Sequence, residues 1–236
     1  MFEIRMAGPA KNALGTEMLR FLLDQLRAAG PQPILLRGAG DAFSAGLNLK
    51  EVATFTSDAM LDFLRLLEEC MTSFYLHPAP MVAVIQGHAI AGGCVLALCC
   101  DWRVAAPNPT AKIGLNEVAL GIRFPPRILE IVRRRLPPQH LEEVLLGAGL
   151  HAPERALALG LVDEIVEDAE GVGRARLSAL AAHASLGPAY ALTKQDLRGT
   201  PQSLCPDEIH EQRLRESLTL WNPTALRERI AAILKR

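Results

Sequence analysis

The chain has 236 residues, of which 50% are hydrophobic and only 5% aromatic, and its formal net charge is −1 at pH 7. That length suits one sizeable core and is short for two, and Lys and Arg are scattered among carboxylates, so no basic face is offered to nucleic acid. The five cysteines (Cys70, Cys94, Cys99, Cys100, Cys205) contain no C-x-x-C pair and lie mostly in apolar sequence, which fits a reducing compartment.

In chain order, Phe2 to Met6 alternates as a short edge strand that Pro9 ends. This N-terminus has neither an apolar h-region nor an Arg/Ser-rich amphipathic run, so a cytoplasmic location is expected. From Gly15, Met18, Leu19, Phe21, Leu22, Leu23 and Leu26 recur at helical spacing until Gly30 and Pro31 stop them. Pro33 to Arg37 is a short strand that runs into Gly38-Ala39-Gly40 and Phe43-Ser44-Ala45-Gly46. Asp58 to Leu76 carries an apolar stripe, with Ser57 or Asp58 as cap, and reads as a core-facing helix.

The β-branched run Met81 to Ile85 stops at Gln86-Gly87, and Gly92-Gly93 opens a compact Leu/Ala-rich segment. This reads as strand, glycine turn, buried helix. Met81 to Cys100 has the length of a membrane span, but Gln86, His88 and the glycines divide it, and no membrane partner is expected. Trp102 to Ala105 and Leu161 to Val166 are further strands, and Arg127 to Leu136, Leu141 to Leu146 and Pro153 to Leu159 are helical. Beyond Asp168 the pattern predicts helices at Val172 to Ala184, Ala189 to Arg198, Asp207 to Leu220 and Thr224 to Lys235. Repeated strand-then-helix units predict a right-handed α/β superhelix in one domain, with its core over 1–168 and a helical C-terminal region over 169–236.

The two glycine turns carry the chemical argument. Glycines at the mouth of a helix leave backbone N–H groups uncovered at the positive end of the macrodipole. Two such donors from separate turns, converging on one point, are what an enolate or tetrahedral oxyanion needs.

The stretches FSAGLNLKE (Phe43 to Glu51) and IQGHAIAGGCVLALCCDWRVAA (Ile85 to Ala106) resemble the paired motifs of the enoyl-CoA hydratase/isomerase, or crotonase, family. The likeness runs from Pro9 to about Asp168 and continues weakly to the C-terminus, with Ala156 to Asp163 matching the family's A-x-x-x-G-L-V-D. The resemblance implies a crotonase-like ββα superhelix with a C-terminal helical trimerisation region, hence a homotrimer or hexamer. It also implies an acyl-CoA substrate, with coenzyme A as part of that substrate, no separate cofactor and no metal. It places the oxyanion-hole amides at Ala45 and Gly92 and further substrate contacts at Ser44, Asn48, Lys50, Gly93 and Phe124. Lys11 and Lys50 are candidates for the CoA phosphates. Asn48 stands where the family commonly has Asp, and Trp221 is open to either an interface or an intrachain packing role.

The resemblance is most informative where it departs. The family's hydratases carry two catalytic glutamates; here the first of those positions is Val95 and the second is Glu117, in IGLNEVALGI. A single glutamate in this phrase looks most like the Δ3,Δ2-enoyl-CoA isomerases, in which one carboxylate removes a proton from the α carbon and returns it at the γ carbon. The expectation is therefore an enoyl-CoA isomerase, a lyase-type hydratase, decarboxylase or thioesterase relative being the alternative, and a non-catalytic acyl-CoA-binding scaffold a third. Asp101 is expected to tie down a strand start, Asp41 and Glu51 to lie in solvent, and His88 to be a satisfied imidazole. The other histidines share no metal-ligand spacing, and Ser44 lacks a G-x-S-x-G elbow.

Overall fold

The computed structural model describes residues 1–221 and Glu228. The helix expected over Thr224 to Lys235 lies outside the described residues. A five-stranded, all-parallel sheet is built from β1 (Phe2–Met6), β2 (Ile34–Gly38), β4 (Met81–Ile85), β6 (Trp102–Ala105) and β8 (Glu164–Ile165), in that spatial order. A small parallel sheet is built from β3 (Ala42–Ser44), β5 (His88–Ile90) and β7 (Ile113–Gly114).

The two sheets generate each other. After each of β2, β4 and β6 the chain passes into a strand of the small sheet, then into a helix: α3 (Leu49–Val52) and α4 (Ser57–Leu76), α5 (Gly92–Leu98), and α6 (Pro126–Arg135). Ahead of them lie one left-handed turn, α1 (Pro9–Asn12), and helix α2 (Thr16–Ala29). After them come α7 (Leu141–Leu145), α8 (Pro153–Ala158), α9 (Ala169–Ala184), α10 (Ala189–Arg198), α11 (Pro201–Leu204) and α12 (Asp207–Leu218). This is the ββα superhelix that the resemblance implied.

Buried peptide groups need partners, and at the corners between the sheets three side-chain amides supply them. Asn12 Nδ2 donates to Ala39 O and Ala42 O, both at 2.9 Å. One layer on, Gln86 Nε2 donates to Gly38 O at 2.8 Å and Ala42 O at 3.0 Å, and Asn108 Nδ2 reaches Gln86 O at 3.3 Å. The corners pack so closely that a Cβ on Gly87 would lie 1.9 Å from Asp41 O.

Both faces of the large sheet are covered, which is why its central strand β4 reads as a continuous apolar run. Ile34, Leu36, Met81, Ala83 and Ile85 face the main core with α2 and α4; Leu35, Val82, Val84 and Val104 face Ala169 and Leu177 of α9. A Cβ on Gly173 would lie 2.6 Å from Val84 Cγ2, so glycine lets α9 sit directly on the sheet. The predicted strand over Leu161 to Val166 narrows to β8, and the cap of α4 is Thr56, whose hydroxyl accepts from Ala59 N, rather than Ser57 or Asp58.

Helix α10 is held by buried charge. Asp101 accepts from Met81 N (2.7 Å), Lys194 Nζ (2.8 Å) and Arg198 Nη2 (2.6 Å), while Arg198 Nη1 donates to Cys99 O (2.9 Å). Asp101 therefore ties two strand starts to α10, as its place in the sequence suggested. Burial lowers the Lys194 ammonium to about 8. Removing one partner of a buried ion pair strands the others, at about 3–5 kcal/mol, so Asp101→Ala is expected to lower unfolding free energy by that amount. Denaturant titration checks this, and an unchanged midpoint would refute the anchoring role.

Candidate active site

The first glycine turn is positioned by an unusual stretch of backbone. Ala10, Lys11 and Asn12 all have positive φ (51°, 59° and 58°), a conformation L residues avoid unless their surroundings impose it. The Asn12 side chain imposes it, accepting from Gly8 N at 3.1 Å while its amide donates across the turn. The loop after β3 then pairs with Leu14 as one rung of parallel ladder: Leu14 N donates to Gly46 O (2.7 Å) and Asn48 N donates to Leu14 O (3.0 Å).

Peptide groups alternate sides along such a segment. With residues 46 and 48 turned toward Leu14, the Leu47 N–H points the other way, and it has no acceptor among the described residues. The Ala45 N–H donates to Lys11 O at 3.0 Å and the Gly46 N–H to Ser44 Oγ at 3.2 Å. The expectation that Ala45 supplies the oxyanion donor is thereby corrected: Ala45 lines the cavity, but its amide is engaged, and Leu47 offers the free one.

The second turn meets the first. Gly46, at φ 83°, packs so closely that a Cβ there would lie 2.5 Å from Ile90 O, the last carbonyl of β5. Ala91 caps α5 at φ 49°, and the first intrahelical bond runs from Val95 N to Ala91 O (3.0 Å). The amides of Gly92, Gly93 and Cys94 precede that bond and have no helical acceptor. Gly92 lines the cavity, and a Cβ on it would touch Leu14 and Leu47 at 3.2 and 3.4 Å. The Cys94 thiol beside it is buried, and that burial, with the charge of Glu117 adding to it, pushes it up to about 12.

Glu117 enters from the loop after β7. Its carboxyl is 6% exposed, Oε2 has no partner, and burial raises it from an ordinary 4.5 to about 8. It lines a cavity of 250 Å³ whose other walls include Leu47, Leu67, Ile90, Gly92, Val95, Asn116, Phe124, Ile128 and Trp221. Among the described lining residues Glu117 is the one titratable group. Asn116 Oδ1 beside it is also buried without a partner.

Of the other expected contacts, Phe124 lines the cavity, but Ser44, Asn48, Lys50 and Gly93 do not. Ser44 is fully buried and donates to Asn12 O at 2.9 Å, so it holds the loop. Asn48 caps α3 by accepting from Glu51 N. Gly93 is a packing glycine, since a Cβ there would lie 2.6 Å from Ser44 O. Lys50 is exposed on α3. Lys11 is paired with Asp41 at 3.1 Å. Glu51, expected in solvent, instead caps α2 by accepting from Thr16 N (3.1 Å) and Thr16 Oγ1 (2.6 Å). His88 Nδ1 accepts from Lys112 N at 3.1 Å, a satisfied imidazole. Trp221 is an intrachain packing residue that donates from Nε1 to Arg123 O at 2.9 Å. Sequence reasoning missed the Leu47 amide, Asn116 and the place of Trp221 in the wall; the phrase LNE around Glu117 was the available signal for Asn116. Among the described residues no cluster of His, Cys, Asp or Glu suits a metal, and no helix is long and apolar enough to cross a membrane.

A ββα superhelix with free amides from two abutting glycine turns and one buried carboxyl lining the same cavity is the arrangement of a crotonase-type protein. The enoyl-CoA hydratase/isomerase family model matches residues 1–212, and the chain belongs to that family. It is 32% identical over 183 residues to the mitochondrial enoyl-CoA delta isomerase 1 of Homo sapiens, a match covering 75% of this chain and 60% of that relative's length. The crystal structure of human mitochondrial delta3-delta2-enoyl-CoA isomerase superposes with a TM-score of 0.88 at 25% identity, covering 99% of this chain and 92% of that one. An enoyl-CoA hydratase from Bacillus halodurans superposes with a TM-score of 0.81 at 29% identity, covering 98% and 95%.

Glu117 also sets a pH dependence of folding. Between 4.5 and about 8 the folded chain holds a proton that the unfolded chain has released, so raising pH through this window favours unfolding. Glu117→Gln is expected to remove that fall, making the variant more stable by up to roughly 5 kcal/mol above the window. Thermal melts of both proteins across pH check this, and parallel profiles would refute it.

Proposed function

We propose that the protein is an enoyl-CoA isomerase that moves a double bond from Δ3 to Δ2 in an acyl-CoA thioester. The observation that carries this reading is the solitary buried carboxyl of Glu117, which lines the same apolar cavity as Leu47 and Gly92, the residues of the two free amides. The thioester oxygen accepts from the N–H groups of Leu47 and Gly92. Glu117, ionised, takes the α proton, and the negative charge passes to that oxygen as a dienolate. The same carboxyl returns the proton to the γ carbon, so no proton is gained or lost overall and one base suffices.

The environment of Glu117 supports this shuttle. A carboxyl raised to about 8 is a stronger base than a solvated one and still releases its proton readily near neutrality. Val95, at the other glutamate position, cannot activate water, and it extends the apolar wall. A homotrimer or hexamer formed through the C-terminal helices belongs to the same proposal; Leu192 and Leu197, exposed on α10, support it.

Glu117→Gln is expected to lower isomerisation by at least about 10²–10⁴-fold, the usual contribution of a positioned base, while acyl-CoA still binds. Because the active form is the carboxylate, wild-type kcat/KM should rise with pH and level off above about 8. Full activity in Glu117→Gln, or a rate that falls with pH below that value, would overturn the mechanism.

A further inference from the structure

We infer that Trp221 closes the far end of the acyl cavity and restricts the protein to short- and medium-chain thioesters. This rests on the reading of the cavity as the acyl site.

The cavity has an open and a closed end. Leu47 and Leu49, which belong to the loop of the free amide, are partly exposed, as are Ile90, Leu120 and Leu150, whereas Trp221, Leu67 and Ile128 are 2%, 3% and 3% exposed. An acyl chain whose carbonyl rests on the Leu47 and Gly92 amides therefore runs inward toward the indole. The indole is held in place by its bond to Arg123 O. The helix that delivers it is also fixed: on α12, His210 Nε2 meets the buried Glu68 at 2.6 Å, and Asp207 pairs with Arg127 Nη2 at 2.6 Å. Glu68 in turn accepts from Arg127 N at 2.8 Å, so α4, α6 and α12 form one braced wall.

The volume gives the length. A dry apolar cavity of about 150 Å³ holds benzene, with its six carbons. In the same proportion 250 Å³ holds about ten carbons, counted from the thioester carbonyl.

The test is binding of saturated acyl-CoAs, from butanoyl to hexadecanoyl, followed by titration calorimetry. These ligands have no double bond, so the result does not depend on turnover. In the wild type, affinity should rise about fourfold per methylene and stop rising between octanoyl- and dodecanoyl-CoA. In Trp221→Ala the rise should continue, with dodecanoyl-CoA gaining at least about tenfold and butanoyl-CoA unchanged, which shows that the amide end is intact. Trp221→Phe, the more conservative change, should show a smaller extension and carries the test should the alanine variant not fold. A wild-type rise continuing through hexadecanoyl-CoA, or the same break in a folded Trp221 variant, would overturn the inference. Loss of isomerase activity with the break retained would sink the proposed reaction and leave the inference standing. Failure of every acyl-CoA to bind would overturn both.

Discussion

The single rung of parallel ladder between Leu14 and the loop at Leu47 is the constraint on which the site depends. Two hydrogen bonds, from Leu14 N and to Leu14 O, settle which way each peptide of the loop faces. They turn one amide out of the protein's own bonding and into the cavity. The rung is itself imposed from outside: Asn12 holds the left-handed turn ahead of Leu14, Ser44 ties β3 to that turn, and Glu51 fixes the start of α2 directly after it. None of these side chains touches the cavity. Their polar atoms are spent on backbone, which is how a loop with few apolar contacts is kept rigid enough to offer a preorganised donor.

The large elements were legible because each carries its own signal. Met81 to Ile85 is an unbroken apolar run bounded by Pro80 and Gln86-Gly87, and the strand spans those residues; the stripe from Met60 to Phe74 gives α4 almost to the residue. The small sheet was hidden because its strands are two or three residues long, too short for any period to show. Gly92 and Glu117, which line the cavity, sit in phrases that stand out in the sequence. The exchange of Ala45 for Leu47 was not legible, because an amide's direction depends on pairing with Leu14, thirty-odd residues away, and no local pattern reports it. Trp221 reaches the cavity from the opposite end of the chain, so its role follows from packing alone.

Basicity and stability oppose each other at Glu117. The same apolar walls that raise the carboxyl toward neutrality make its ionised form unfavourable in the folded chain. The surrounding structure carries that cost with a large, doubly covered sheet and a largely buried ion cluster around Asp101, neither of which lines the cavity. Rigidity is thereby built where no chemistry is done, and the strained group is kept where it is needed.

The thiol of Cys94 lies two residues from Gly92 on the same helix. A cysteine this close to an activated thioester carbonyl would be a hazard as a thiolate, because transfer of the acyl group to sulfur would leave the protein acylated and coenzyme A free. Enclosure on every side, with the thiol driven up to about 12, keeps sulfur protonated and out of reach of the carbonyl carbon. On the proposed reaction, the backbone that would polarise the ester lies beside a thiol that burial holds protonated.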